Sequence, residues 1–197
     1  MLAVARVAAQ PPGRHNPARR APGRARATYG PPVTLDPVAP MPSVHLRPAT
    51  EHDIGFLTDA VVVATSSQNR RPAAPDEDAW RERVSAWAAE EVADPRPPGL
   101  EHSTTYVVEI EGERAGRLRV VRGLDAVEIA GLQLLPAHQG HGIGTHLIEQ
   151  LVVEAHRAGL PARVRVEDDN PRARSLCERL GFVAVEQEDG ETVLEAR

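Results

Sequence analysis

In the middle of the chain, at a glycine-rich loop, the hydrophobic pattern changes from the period of a strand to the period of a helix. Residues 125–135 have the pattern of a β-strand. After the loop at residues 136–145, apolar residues recur at helical spacing at Ile143, Leu147, Ile148, Leu151, Val152 and Ala155. A strand that turns through glycines into an amphipathic helix must place the apolar face of that helix on a sheet. This requirement restricts the chain to folds that layer helices on a sheet.

The remaining segments have strand and helix patterns in a definite order. Strand patterns occupy residues 44–47, 105–110, 115–122, 162–167, 182–185 and 192–194, and helix patterns occupy residues 50–64, 80–92 and 170–181. This order predicts an α/β (α+β) fold: a mixed, mostly antiparallel central sheet with helices on both faces. Arg117 and Arg119 share one face of a middle strand. That face is predicted to be exposed to solvent, and the alternative is a binding patch.

The first 42 residues differ in composition from the rest of the chain. They contain nine of the 18 prolines, and six arginines against one acid give them a net charge of +5. They lack strand or helix periodicity, which predicts a disordered tail or a translation start at Met41. Prolines at this density argue against a helical transit peptide. The predicted domain organisation is a tail at 1–42 and one folded domain at 43–197.

Residues 43–197 are acidic, with 17 arginines against 27 acids. A net charge of −10 argues against nucleic acid as a partner. Apolar runs such as Ala60 to Ala64 are too short to span a membrane, and no secretory signal is recognised, so we expect a cytoplasmic protein. The single cysteine, Cys177, excludes an internal disulfide. His138, His141 and His146 lack companion ligands, so no metal is expected.

The loop at residues 136–145 is suited to binding an anion. Glycines at 140, 142 and 144 let several backbone N–H groups point at one phosphate, and the positive end of the helix dipole adds to the attraction. The loop is not a Rossmann fingerprint, because the third glycine of Gly-x-Gly-x-x-Gly is absent after Gly144. It is not a P-loop either, because the chain has no lysine.

Gln139, Gly142 and Gly144 form the pattern Gln-x-x-Gly-x-Gly, which resembles the pyrophosphate loop of the GNAT superfamily of acyl-CoA N-acyltransferases. Residues 132–136 look like the fourth strand of that family. Residues 170–182 are similar to its Asn-x-x-Ala-x-x-Leu-Tyr-x-x-x-Gly-Phe segment. The predicted element order also matches the family fold, so the resemblance covers about residues 44–194.

The resemblance implies an acetyl-CoA site without a metal. It implies that the backbone of Leu132 and Leu134 pairs with the pantetheine arm, and that Asn170 orients this arm near the thiol. It also implies that the pyrophosphate is held by backbone amides of Gln139, Gly140, His141, Gly142, Ile143, Gly144 and Thr145. Asn170 equally fits the role of a helix N-cap, so both roles stay open. The implied mechanism is direct attack of an amine on the thioester, without a covalent enzyme intermediate.

Two residues are candidates for proton transfer. By its distance from Gln139, Glu128 matches the glutamate that acts as general base in the histone-acetylating branch of the family. It is expected to share a strand face with Ala130, Leu132 and Leu134, where burying an unpaired charge is costly. The alternative is a solvated glutamate. Cys177 occupies the position of the family tyrosine that protonates the departing thiolate. It is a candidate acid, and the alternative is packing as a small apolar residue.

The predicted function is therefore the transfer of an acetyl group from acetyl-CoA to a primary amine on a small molecule or a peptide. The absence of the family tyrosine keeps one alternative open, a non-catalytic acyl-CoA-binding module. Residues 66–102 contain no motif that identifies the acceptor.

Overall fold

The computed structural model describes residues 42–67, 77–93, 102–188 and 190–197, which form seven strands and four helices. The strands are β1 (Val44–Pro48), β2 (His102–Ile110), β3 (Glu113–Arg122), β4 (Val127–Leu134), β5 (Ala162–Glu167), β6 (Val183–Glu188) and β7 (Glu191–Ala196). The helices are α1 (Ile54–Ser67), α2 (Glu77–Ala93), α3 (Ile143–Arg157) and α4 (Pro171–Arg179). The predicted element order is confirmed. The predicted tail, apart from Pro42, lies outside the described residues.

All seven strands belong to one sheet, in the order β1-β2-β3-β4-β5-β7-β6. Only β4 and β5 are parallel neighbours, and every other pair is antiparallel. The crossover from β4 to β5 runs through α3, as a parallel connection requires. The predicted mixed, mostly antiparallel sheet is therefore confirmed.

Helices cover both faces of the sheet, and each face has its own core. On one face, α1 and α2 pack through Leu57 and Ala88 against Val107 of β2. On the other face, α3 and α4 pack through a larger set that includes Leu147, Leu151 and Cys177. These are called the α1–α2 face and the α3–α4 face below. None of the helices in the described ranges is both long and apolar enough to cross a lipid bilayer.

A β-bulge at Ala130 changes which face each residue of β4 occupies. Arg119 pairs with Gly131, whereas the next residue of β3 pairs with Ile129, so Ala130 is an extra residue in β4. One extra residue moves all later side chains to the opposite face. The expectation that Glu128 shares a face with Leu132 and Leu134 is therefore wrong. Glu128 lies on the α1–α2 face, as do Gly131 and Gln133.

Asp53 is held by hydrogen bonds between β1 and α1. It accepts from both terminal nitrogens of Arg47 at 2.9 Å and from the backbone N–H and hydroxyl of Thr50, each at 2.9 Å. Its side chain is almost fully buried. The Arg47 guanidinium lowers the pKa of this carboxyl well below its usual range. This cluster joins the end of β1 to the segment that precedes α1.

Replacing Asp53 with Asn is expected to lower the free energy of unfolding by about 1–2 kcal/mol near neutral pH. The variant loses the charge-assisted hydrogen bonds from Arg47, and the loss is moderate because the Arg47 side chain is partly exposed to water. The native pKa lies below the unfolded value of about 3.9, so the stabilisation is complete above that value and declines as the pH falls through it. Urea unfolding at about pH 7 and about pH 3 measures this difference. A difference of equal size at both pH values would contradict the assignment.

Candidate active site

The parallel strands β4 and β5 separate soon after they begin. Their pairing runs only from Val127 to Ile129 of β4, while β4 continues to Leu134 beside β3. Residues 130–134 are called the open half of β4, because within the described residues no strand lies along their other edge. Backbone N–H and C=O groups on such an edge can pair with an extended ligand.

The open half of β4 leads into the glycine loop at the start of α3. Gly140 and Gly142 have φ values of +81° and +79°, the left-handed region that glycine adopts without steric cost. Gly142 is the N-cap, and His146 donates to its carbonyl at 2.9 Å as the first helical hydrogen bond. The N–H groups of residues 142–145 therefore have no acceptor within the helix and are available to an anion.

Gln139 connects this loop to the end of β4. Its side-chain Nε2 donates to the carbonyl of Leu134 at 2.8 Å, and its backbone N–H donates to the carbonyl of Pro136 at 3.2 Å. Because the backbone N–H of Gln139 is already engaged, the amides available to an anion begin at Gly140. Gln139 therefore holds the start of the loop against the end of β4.

Asn170 caps α4, as its sequence position predicts. Its Oδ1 accepts a hydrogen bond from the N–H of Ala173 at 3.1 Å, and Pro171 follows at the first helical position. The capping role uses the oxygen of the side chain and leaves its NH₂ group for another partner. The cap and the role implied by the resemblance are therefore compatible.

Glu128 lies on the α1–α2 face, within the short stretch where β4 pairs with β5. Its Oε1 is 3.3 Å from Nε of Arg165, and its side chain is 21% exposed. The next residue is the last one that pairs with β5. Glu128 is thus a partly exposed carboxylate at the point where the sheet opens.

Cys177 lies in the core of the α3–α4 face, where it is 3% exposed. Burial raises the pKa of its thiol to about 11. A buried thiol of this kind packs as a small apolar group. The structure therefore places Cys177 in an environment that suits packing better than proton donation.

Arg117 and Arg119 are predicted to be exposed to solvent, and that prediction is wrong: Arg117 is fully buried, and the side chain of Arg119 is only 14% exposed. Arg117 is 0% exposed, and its guanidinium donates to a carboxylate oxygen of Glu91 on α2 and to Oε1 of Gln133 at 2.7 Å. Its Cζ lies 4.5 Å from the centre of the Trp87 ring. Arg119 approaches the other oxygen of Glu91 at 3.3 Å. A buried charge needs such partners, because burial disfavours the charged form and lowers the pKa of Arg117.

The sequence reasoning missed Glu91 and Gln133 as partners of these arginines. One available signal was Glu91 itself, which follows the apolar positions Val84 and Ala88 on the buried side of α2. A second was Gly131, since a glycine inside a strand pattern indicates the close approach of another group. In the structure, a Cβ at that position would lie 2.5 Å from Nη1 of Arg117. The glycine therefore makes room for the guanidinium. Neither signal names the partner without the tertiary structure.

A separate groove of about 720 Å³ lies between α3 and strands β1–β3. Leu46, Tyr106 and Arg122 line it together with the outer side of α3. None of the predicted site residues lines this groove. The candidate site is therefore the open half of β4 with the glycine loop.

A family comparison matches residues 68–182, more than half of the chain, to the acetyltransferase (GNAT) family. A comparison with curated protein sequences gives no match.

Solved structures are similar to this chain at low sequence identity. An acetyltransferase from Thermus thermophilus has a TM-score of 0.62 at 19% identity, over 79% of this chain and 97% of that chain. The PaiA N-acetyltransferase from Thermoplasma acidophilum, in complex with coenzyme A, has a TM-score of 0.59 at 15% identity, over 78% and 98%. A Salmonella typhimurium acetyltransferase that modifies the N-terminal serine of ribosomal protein L7/L12 has a TM-score of 0.53 at 18% identity, over 78% and 94%.

These likenesses establish a common fold, and the family match covers the open half of β4, the glycine loop and α4. The chain therefore belongs to the GNAT family of acetyltransferases.

Proposed function

We propose that residues 43–197 transfer an acetyl group from acetyl-CoA to a primary amine, by direct attack of the amine on the thioester. The observation that carries this proposal is the open half of β4, which leads directly into a helix start with unused backbone N–H groups. An extended, amide-containing arm that ends in a pyrophosphate matches both features. The N-terminal serine modified by the Salmonella enzyme supports an amine as the acceptor.

The residues of the loop fit the anionic end of acetyl-CoA. The amides of residues 140–145 would hold the pyrophosphate, since glycine at 140 and 142 keeps side chains away from it. The backbone of Leu132 and the N–H of Leu134 would pair with the pantetheine arm along the open half of β4, since the Leu134 carbonyl already accepts from Gln139. Asn170 would donate to that arm through its NH₂ group. Acetyl-CoA supplies the acyl group as a thioester.

Glu128 is the proposed general base. An amine attacks only in its neutral form, so its proton must leave before or during formation of the N–C bond. The Glu128 carboxylate would take that proton, directly or through a water molecule, while the C–S bond breaks and the sulfur leaves as a thiolate. Its position beside the end of the β4–β5 pairing supports this role.

One observation favours a second candidate, a non-catalytic acyl-CoA-binding module. Cys177, which stands where the family often has tyrosine, is buried in the core and has a raised pKa. The residue at the position of the family tyrosine is then unsuited to protonate the leaving thiolate. A free thiol has a pKa of about 8.5, so the thiolate is a weak base and can leave without a proton donor. The catalytic proposal is therefore preferred.

Replacing Gly142 with Leu is expected to abolish the stabilisation of the protein by CoA. Wild-type protein at about 100 times the Kd of CoA should gain about 2.7 kcal/mol of stability, whereas NAD should give no gain. A side chain at Gly142 strains a left-handed residue within the loop that is proposed to hold the phosphates. Thermal unfolding with and without each ligand measures the effect.

Gly112, in the turn between β2 and β3, provides a matched control. It also has a left-handed φ, +84°, and no atom lies within 4 Å of where its Cβ would be. Gly112→Leu should therefore carry similar backbone strain but keep the full shift with CoA. Equal stabilisation by NAD and CoA, or a normal CoA shift in Gly142→Leu, would count against the proposed cofactor.

A further inference from the structure

Gln133 is a side chain of the open half of β4 that the proposed mechanism does not use. It lies on the α1–α2 face, the same face as Glu128, and is partly exposed. Its Oε1 accepts a hydrogen bond from Nη1 of Arg117 at 2.7 Å. Arg117 is in turn fixed by Glu91 and by the ring of Trp87. Gln133 is therefore held by a fully buried guanidinium.

The contact with Arg117 determines the orientation of the Gln133 amide. A guanidinium has only donors, so the atom of Gln133 that faces it must be the carbonyl oxygen. The NH₂ group then points away from Arg117, and it donates no hydrogen bond to any residue in the described ranges. Withdrawal of electron density through the carbonyl also strengthens these N–H donors.

Arg117 is a costly way to hold an amide. Its guanidinium is fully buried, and its Nε is a buried side-chain nitrogen without a hydrogen-bond partner. Gly131 leaves the space that the guanidinium occupies, since a Cβ there would lie 2.5 Å from Nη1. A buried ion pair contributes little net stability compared with apolar residues of similar volume. The arrangement is therefore better explained by what it orients than by stability.

On β4, Glu128 and Gln133 are the two polar side chains of the α1–α2 face. They lie on opposite sides of the point where β4 leaves β5. Through their partners on β3, Val121 and Arg117, Glu128 and Gln133 are four residues apart, or about 13 Å along the strand. An amine that attacks between them has a proton acceptor on one side and a fixed N–H donor on the other. The donor can bind only an oxygen or another acceptor atom of the same substrate.

We infer that Gln133 determines the acceptor class by donating a hydrogen bond to a carbonyl oxygen near the reacting amine. This inference rests on the proposed function. A peptide N-terminus has such oxygens within one or two residues, about 3–7 Å from the amine by standard backbone dimensions. A protonated polyamine has no free acceptor atom, and a second ammonium at this point would lie beside the Arg117 guanidinium. The inferred acceptor is therefore an amine with a carbonyl oxygen close to it, as in a peptide N-terminus, and not a polyamine.

The test compares a short uncharged peptide that has a free N-terminal amine with a linear triamine of similar length, measuring thiol release from acetyl-CoA. Gln133→Glu keeps the shape and the Arg117 contact but replaces the NH₂ donor with an acceptor oxygen. It should lower kcat/KM for the peptide about 10- to 100-fold, mainly through KM, with the value for the triamine unchanged or raised. Gln133→Leu should lower the peptide value about 10-fold. The KM for acetyl-CoA should not change in either variant.

Gln150, an exposed glutamine of α3 outside the candidate site, is the matched control, and Gln150→Leu should behave as wild type. Thermal unfolding of each variant checks that it folds. A wild-type preference for the triamine, or an unchanged ratio of the two kcat/KM values in both Gln133 variants, would overturn the inference and leave N-acetyltransfer standing. Absence of turnover with every amine, together with intact CoA stabilisation, would overturn the proposed catalysis and this inference with it.

Discussion

Replacing Glu128 with Gln is expected to lower the rate of amine acetylation by about 10²–10⁴-fold. An aliphatic amine has a pKa near that of lysine, about 10.4, so fewer than about one molecule in a thousand is neutral at pH 7. Gln keeps the size of the side chain and removes its basicity. The loss should be largest at low pH and smaller at high pH, where more of the amine is already neutral. Steady-state kinetics over a range of pH measure this change.

Two control variants separate the base from its surroundings. Arg165→Gln removes the ion pair at 3.3 Å but keeps the carboxylate, so it should retain most of the activity. Cys177→Ala should also lower the rate only slightly. The pKa of the Cys177 thiol is about 11 and that of a free thiol is about 8.5, so proton transfer from Cys177 to the leaving thiolate is unfavourable. Full activity in Glu128→Gln would leave water or another group as the base. A large rate loss in Cys177→Ala, with normal CoA binding, would make the thiol the acid.

Replacing Glu91 with Leu is expected to destabilise the protein by about 3–5 kcal/mol. Glu91 contacts both Arg117, which is 0% exposed, and Arg119, and its loss leaves the Arg117 guanidinium buried without a carboxylate. For a domain of this size, the expected decrease in Tm is about 6–20 °C. Chemical or thermal unfolding of the variant measures the decrease.

The double variant Glu91→Leu with Arg117→Met tests the cause of that loss. Apolar residues of similar volume can replace a buried ion pair at little cost, so the double variant should be more stable than Glu91→Leu alone. The single variant Arg117→Met completes the comparison. If the decreases in stability caused by Glu91→Leu and by Arg117→Met add in the double variant, the two charges do not interact and the ion pair is not the cause. Gln133 also loses its partner in the double variant, so any activity with the peptide acceptor should fall as in Gln133→Leu.

Much of the fold was predictable from local sequence. The change from strand pattern to helix pattern across the loop at residues 136–145 determines β4 and α3, and Asn170 with Pro171 determines the start of α4. These features depend on hydrophobic periodicity and capping, which act over a few residues. The need for glycine in the loop was also predictable from local sequence, because the left-handed φ at Gly140 and Gly142 is a property of the loop itself.

The face occupied by Glu128 was not predictable in the same way. Alternation along β4 suggested that it lies with Leu132 and Leu134, but the extra residue Ala130 separates them. A bulge depends on how β4 pairs with β3, and that pairing joins residues distant in sequence. The open half of β4 likewise exists because β5 leaves it after Ile129. No pattern within either strand encodes the separation.

The sequence by itself therefore determined the order of elements, the glycine loop and the family resemblance, whereas only the tertiary structure decided how the α1–α2 face is built. Arg117 looked like an exposed strand residue, yet it is buried against Glu91, 26 residues away. A charged side chain on a strand can be solvated or paired, and the choice depends on which helix packs over it. Periodicity indicates which face of the sheet a side chain occupies. The partner that compensates a buried charge depends on how the helices pack across the whole sheet.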